Sequence, residues 1–332
     1  MTPLGQRLAA ALESRALDGA VTRPLSRLWA RVASPVRPLS LPAGVAVVGV
    51  GGATLGGAGK TPLVAALAQQ LAQRGVRVAV VASGYPARIG DVLEVTRGHD
   101  VERVGDEALW LARELDEHDV RVVVGRRQGA VDRAAQLASV VIVDGLLQCA
   151  PRRLSLSLLV LDASVPFLTA RCPPAGDLRA DRARLAAAAD RVVVVGDASR
   201  DLEHWVASHE LTMSPARRLL RGVRLDGRCR ELDELRGLRV GVCLAIAHPE
   251  RVLRLLASRG IEPVAIALAR DHAVPRPTAD RVDVWLCTEK CALKLPARVR
   301  GAPIAALAER FSVDNSLISK VISLCPGAAL AT

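Results

Sequence analysis

Between Gly51 and Pro62 the chain reads GGATLGGAGKTP, and an apolar helical pattern follows. A glycine-rich turn that opens a helix aims several backbone N–H groups at one point, and the helix N-terminus adds positive partial charge. A lysine placed there neutralises terminal phosphates, and a threonine hydroxyl suits Mg²⁺. Lys60 is also the only lysine in the first 289 residues of a chain that otherwise uses arginine. An ammonium is a compact point charge and a guanidinium is a planar fork, so the exception is informative. The pattern G-x-x-x-x-G-K-[ST] is not met in full, because its first glycine is Thr54. The same residue breaks the dinucleotide pattern G-x-G-x-x-G begun by Gly49 and Gly51. Gly56, Gly57, Ala58 and Gly59 still permit a tight wrap, and the stretch reads as a nucleotide phosphate cradle rather than a plain turn. Asp144 ends an apolar run, where it suits either a carboxylate that organises Mg²⁺ or an ordinary strand-end acid.

The elements that must hold these residues alternate. Apolar runs at 44–50, 76–83, 120–125, 139–145, 156–163 and 191–197 predict buried parallel strands. Helical patterns fall between them, from about 62 to 74, 105 to 118 and 128 to 138. Such alternation predicts an α/β fold: a P-loop NTPase-type, doubly wound, mostly parallel sheet, with a second, smaller α/β domain. The expected divisions are 1–40, one or two short helices broken near Pro35 and Pro38; 41–222, the nucleotide-binding domain; and 223–332, the smaller domain. A final helix is expected near 314–323.

The bulk composition narrows the partners. The chain has 332 residues and a net charge of +11, which favours anionic ligands. Aromatic residues make up only 2%, too few for base stacking, and no nucleic-acid motif appears, so nucleic acid is not expected. Seven scattered cysteines fit reduced, mostly buried thiols, and Cys287 and Cys291 lack the companions a zinc site needs. No secretory signal pattern and no apolar run of membrane-spanning length stands out. Leu25, Leu28, Trp29 and Val32 form one helical stripe, with Arg27 and Arg31 off it. That stripe suits a helix lying on an anionic membrane face, or one packed on its own domain.

Over residues 44–296 the chain resembles the tetraacyldisaccharide 4'-kinase family, whose members phosphorylate the lipid A precursor at a membrane surface. The resemblance rests on VGGATLGGAGKTP, ASGYP (82–86), VGDEAL (104–109), VVVGRR (122–127), PAGDLR (174–179), AIAHPERV (245–252), RDHAV (270–274) and TEKCALKL (288–295), in order. It implies ATP and Mg²⁺ as cofactors and a tetraacylated glucosamine disaccharide 1-phosphate as acceptor. It also implies a location on the cytoplasmic face of the bacterial inner membrane, and a monomer is expected. Lys60 and Thr61 would hold ATP phosphates and Mg²⁺, with Glu107 and Asp144 arranging the metal and Gln148 near the nucleotide. Asp106 would take the proton from the sugar 4'-hydroxyl, with His272 as its partner. Tyr85 and Arg179 would face the substrate. On the residues alone, Asp106 suits a helix cap better than a base, His272 suits a structural role, Tyr85 either stacking or filling a gap, and Arg126, Arg127 and Arg179 a solvated face more than an anionic site.

The chain departs from the family pattern at several places. The family's Asp-Asp-Gly-Leu-Gln-His segment stands as DGLLQC (144–149), with Gly145 for the second Asp and Cys149 for the His. Ser83, Ala273 and Cys291 replace an Arg, a His and an Asp. These losses motivate a second reading, a nucleotide-binding relative that serves as scaffold or regulator. A partitioning or carrier ATPase is a third, but its signature lysine is Leu55 here.

Overall fold

The computed structural model describes Leu12, residues 17–84 and residues 91–325. Residues up to 218, together with those from 311 onward, form one compact unit, and 219–310 form another. The residues from 311, expected with the smaller domain, therefore fall in the first unit. The strand pattern that leads into them does not reveal where its end packs.

The strands of the first unit are β1 (Val36–Pro38), β2 (Ala46–Gly52), β3 (Val78–Val81), β4 (Leu93–Val95), β5 (Arg121–Val124), β6 (Val140–Asp144), β7 (Gln148–Ala150), β8 (Leu156–Asp162), β9 (Arg191–Val195) and the start of β10 (Thr212–Leu225). Its main sheet runs in the order β10-β9-β8-β2-β6-β3-β5-β4. Every pairing is parallel except that of β4 with β5. Strands β2, β6 and β8 are buried along their whole length. Parallel strands covered on both faces require this, and it explains why they read as unbroken apolar runs. Helices α1 (Thr22–Val32), α2 (Lys60–Ala72), α3 (Val101–Val104), α4 (Asp106–Leu115), α5 (Arg127–Leu137), α6 (Arg182–Ala188) and α7 (Arg200–Ser208) complete the alternation.

The order puts β2, which feeds the glycine loop, between β6 and β8, and Val50 lies in register with Asp144. In sheets of this type ligands bind beyond the carboxyl ends of the strands. The loop and Asp144 leave the sheet at that edge together.

Helix α1 ends at Val32, ahead of Pro35 as expected, and the chain then forms β1, in a separate parallel pairing of Val36 with Gln148. Proline favours extended backbone at such an edge. The stretch 1–11 of the expected N-terminal helices lies outside the described residues.

The second unit is built on the parallel order of β12 (Val240–Leu244), β13 (Ala265–Leu268), β14 (Val284–Thr288) and β16 (Ala302–Val313), arranged β13-β12-β14-β16, with the two-residue β15 (Arg298–Val299) antiparallel to β16. Helix α8 (Pro249–Ser258) and the short α9 (Glu289–Ala292) connect them. A hairpin joins β10 to β11 (Arg228–Arg230), and Asp226 and Gly227 at its tip both take positive φ. That is the conformation a two-residue turn of this twist requires. After β16 the chain ends its described course in α10 (Asn315–Ile322), which buries Leu317, Ile318 and Val321.

Candidate active site

The glycine loop closes through two left-handed residues, Gly57 at φ 65° and Gly59 at φ 76°. Gly59 is the residue before α2, whose first residues are Lys60 and Thr61. The Lys60 side chain folds back over the end of β2, with Nζ 3.3 Å from where a Cβ on Gly52 would stand. Its cation therefore lies across the loop from the helix N-terminus, the two positive features a phosphate needs.

The departure at Thr54 has a structural reading. Residue 54 does not take positive φ, so no glycine is required. Its hydroxyl donates to the Gly56 carbonyl at 2.7 Å and braces the turn. The segment that ends in Arg179 braces it from outside. Leu55 N–H donates to the Asp177 carbonyl (2.9 Å) and Arg179 N–H to the Ala53 carbonyl (2.8 Å). The Arg179 guanidinium donates from Nε to the Thr54 carbonyl (2.7 Å) and from Nη2 to the Leu55 carbonyl (3.2 Å).

Thr61 is buried, and its hydroxyl oxygen lies 2.8 Å from Asp144 Oδ2 and 3.1 Å from Glu107 Oε1. A hydroxyl carries one hydrogen, so it donates to one of these carboxylates and meets the other oxygen to oxygen. A cation among the three oxygens resolves that conflict. Two carboxylates and a hydroxyl, completed by phosphate oxygens and water, form the kind of set Mg²⁺ accepts. Among the described residues no group of three or more His, Cys, Asp or Glu could hold a metal by itself. The fit is therefore to a hard cation shared with phosphate.

Two arginines, Arg127 and Arg179, feel the charge of Asp144, and Arg37 lies close enough to feel both of them. Burial, then the like charge of Arg37, hold Arg179 below its ordinary pKa, with Asp144 and Glu107 opposing and Arg127 adding to the depression. Burial and then Arg37 lower Arg127 in the same way, again against Asp144. Arginine stays charged through such shifts. Arg37 and Arg179 line a cavity of about 490 Å³ with Trp29, Gly52, Leu55 and Gly145. Arg127 Nη2 stands 3.9 Å from where a Cβ on Gly145 would be. Sequence reading singled out Arg179 and weighed Arg127, but it missed Arg37. No local pattern marks an isolated arginine in an arginine-rich chain.

Asp106 is the first residue of α4 and is 2% exposed. It is not the capping residue, which is Gly105. Gln148 is not brought to the loop. Its amide donates to Ser157 Oγ (2.7 Å) and the Ala188 carbonyl (3.3 Å), and its oxygen accepts from Cys149 N–H (3.0 Å) and Leu154 N–H (2.8 Å). A side-chain amide fully engaged in the core has no capacity left for a nucleotide. In the second unit, His272 has φ 63°, and its Nε2 lies 3.7 Å from Asp271 Oδ2. Tyr85 lies outside the described residues.

Helix α1 presents its expected stripe outward. Leu25, Leu28, Trp29 and Val32 are each at least half exposed among the described residues. The inward face is small: Ser26 Oγ accepts the Ala175 N–H at 2.9 Å, and Ala30 packs on the core. No described helix is long and apolar enough to cross a membrane.

Residues 20–324 match the family model for tetraacyldisaccharide-1-P 4'-kinase, LpxK. The tetraacyldisaccharide 4'-kinase of Dinoroseobacter shibae is 33% identical over 327 residues, covering 92% of each chain. That of Anaeromyxobacter sp. strain K is 35% identical over 325 residues, covering 87% of this chain and 83% of its own. Among solved structures, LpxK from Aquifex aeolicus, crystallised in complex with ATP, superposes with a TM-score of 0.67 at 22% identity. It covers 95% of this chain and 99% of that one.

Proposed function

The chain belongs to the tetraacyldisaccharide-1-P 4'-kinase family, and from that premise we propose which residues perform the transfer. It is a phosphotransferase: it moves the terminal phosphoryl group of ATP to the 4'-hydroxyl of a tetraacylated glucosamine disaccharide 1-phosphate. The match along almost the whole length of relatives bearing that name favours the enzyme over a scaffold.

One observation carries the assignment of roles: the Thr61 hydroxyl set between Asp144 and Glu107 on the first turn of α2. Phosphoryl transfer needs charge neutralisation, in-line positioning and an acceptor for the hydroxyl proton. Lys60 and the loop N–H groups hold the phosphates. Thr61, Asp144 and Glu107 would hold Mg²⁺, which would supply charge neutralisation on the phosphoryl oxygens when bound. Arg179, with Arg37 and Arg127, faces the anionic groups that enter the cavity. Asp106 accepts the proton, an assignment that rests on the motif match. Gln148 is left out of the nucleotide site.

The outward stripe of α1 supports a peripheral place on an anionic membrane. Its apolar side chains would enter the headgroup layer, with Arg27 and Arg31 on the flank. The lipid acceptor would then be reached without leaving the bilayer, from the cytoplasmic face where ATP is available.

The test is a transfer assay with Mg-ATP and the tetraacyldisaccharide 1-phosphate in mixed micelles, the product followed by mass spectrometry. Wild type yields bisphosphorylated product. Lys60→Ala yields none, and Asp106→Ala loses turnover by about 10³-fold, within the range of general-base removal. Full activity in the Asp106→Ala protein would reject the base, and failure of the wild type to make product would return the scaffold reading.

A further inference from the structure

Gly59 has no capping side chain, yet it must hold a left-handed turn so that the N–H groups beyond it face the phosphates. The structure shows what presses on it. A Cβ built on Gly59 would stand 3.1 Å from Phe311 Cζ, 3.3 Å from Phe311 Cε2 and 3.7 Å from Arg218 Nη2. The ring and the guanidinium thus lie directly against the loop backbone. They also lie on each other, with Arg218 Cζ 5.0 Å from the centroid of the Phe311 ring.

Each member is fixed in turn. Arg218 forms an ion pair with Asp162 Oδ2, the last residue of β8. The other oxygen of Asp162 accepts the Ser164 N–H (3.0 Å) and hydroxyl (2.7 Å). Asp162 is almost wholly buried and Arg218 mostly so. Phe311 is 6% exposed near the end of β16, and the helix after it, α10, opens at Asn315, whose side-chain oxygen accepts from Arg74 Nη2 at 2.8 Å just past the end of α2. Only two phenylalanines occur in the chain. One of them is placed against the glycine that precedes the P-loop lysine.

We propose that Phe311 and Arg218 are positioning residues for the P-loop: their stack holds Gly59 in the phosphate-binding conformation before ATP arrives. The inference rests on the reading of the loop as the ATP phosphate site and adds to it. A loop already in its bound shape loses less conformational entropy on binding, so the effect belongs to nucleotide affinity. Once ATP is bound, the phosphates themselves hold the loop, and the chemical step proceeds as before. Arg218 ends the first unit where the chain leaves it, and Phe311 begins it where the chain returns. The contact is therefore contributed by both connecting strands and by neither the loop nor its helix.

The experiment uses the full chain with Phe311→Ala, Phe311→Leu and Arg218→Lys, measuring KM for ATP, KM for the lipid acceptor and kcat, and it titrates ATP directly against each of these and against Lys60→Ala, which has no turnover to measure. Amide hydrogen exchange is followed over residues 56–61 without nucleotide. Phe311→Ala is expected to raise KM for ATP about tenfold with kcat within about twofold, the pattern of lost ground-state binding. Its amides at 56–61 exchange faster while those of β2 and β6 do not. Phe311→Leu, which keeps an apolar contact, restores most of the affinity. Arg218→Lys keeps the charge but loses the planar stack, and gives an intermediate rise. Unchanged KM for ATP and unchanged exchange in Phe311→Ala would overturn the proposal. So would a fall in kcat with both KM values rising and exchange accelerating throughout, which is a general folding defect. Should Phe311→Ala not fold, exchange at 56–61 in Arg218→Lys decides, and a wild-type pattern there overturns it. If Lys60→Ala binds ATP as tightly as wild type, the reading of the loop itself fails; if only Lys60→Ala weakens binding, the loop reading stands and the positioning role falls.

Discussion

The glycine loop and the segment 144–149 touch each other, yet they tolerate change in different ways. The loop keeps its chemistry in backbone N–H groups and one lysine, so its glycines answer to geometry. Thr54 fits there because its position never needed positive φ and its hydroxyl braces the turn. The segment contributes one chemical side chain, Asp144, and otherwise packs. Leu146, Leu147, Gln148 and Cys149 are all buried. Cys149 Sγ donates to the Arg152 carbonyl at 3.1 Å, a core role with no bearing on phosphate. Replacement of a family histidine at that position therefore changes packing and leaves Thr61, Asp144 and Glu107 alone. The change at Gly145 is different, since it removes a carboxylate next to Arg127.

The same contrast divides the glycines. Gly51 is small because the segment lies on it: a Cβ there would stand 2.6 Å from Leu147 Cβ and 2.8 Å from its Cα. Gly59 is glycine because of its left-handed turn. A run that reads as one phosphate motif thus serves two purposes, close packing at its strand end and phosphate geometry at its helix end.

The sharpest way to break the comparison is to remove the one chemical group of the segment. Asp144→Asn keeps size and packing but removes the charge that faces Thr61. The expected loss of kcat is about 10³-fold, the scale of a lost charge-stabilising group, with thermal stability little changed. A variant with near-normal turnover would show that the segment contributes only packing.

Next comes Gly51→Ala, which tests the packing role. Overfilling a fixed backbone contact costs about 3 kcal/mol, read from denaturant unfolding. Gly75→Ala serves as control, because its φ of 78° strains an L-residue but none of the described residues lies within 4 Å of the added methyl. That control costs about 1 kcal/mol. Equal losses would mean that the segment yields easily and the close contact has no consequence.

Arg179→Lys probes the bracing of the loop from outside. Lysine keeps the charge but cannot hold the Thr54 and Leu55 carbonyls with one planar fork. The loop loosens, and KM for ATP rises about tenfold, with about 1 kcal/mol lost in stability. An effect confined to the lipid KM would instead assign Arg179 wholly to the acceptor.

Much of this was readable from the residues because the informative contacts are local. Unbroken Val, Leu and Ala runs placed β2, β3, β5, β6, β8 and β9 within a few residues. Glycine, lysine and threonine before a helical pattern placed the loop. The failures are long-range. Gln148 keeps the family residue at its position, but whether an amide turns to a nucleotide or to Ser157 depends on a strand nine residues on. The break near Pro35 and Pro38 gives no sign of strand β1, because its partner, at 148–150, is more than a hundred residues away. Arg37, Arg218 and Phe311 reach the loop only through the folded sheet, and no spacing in the chain announces them.

The smallest expected effect belongs to Gly145→Asp, which restores the family carboxylate. The position has φ 76°, where an aspartate is tolerated at about 1 kcal/mol, and among the described residues only Arg127 Nη2, at 3.9 Å, stands near the new Cβ. Part of that strain is offset by the ion pair the carboxylate would make with Arg127, so stability should move by less than about 1 kcal/mol. The Thr61, Asp144 and Glu107 set is already complete without it. We therefore expect kcat to stay within about threefold of wild type, measured at saturating Mg-ATP, since the new charge meets an arginine rather than the metal set. A gain of tenfold or more would show that the missing carboxylate limits this enzyme and that the segment does carry a second chemical group. A loss of the same size would show that Arg127 must remain without a carboxylate partner to act on an incoming phosphate.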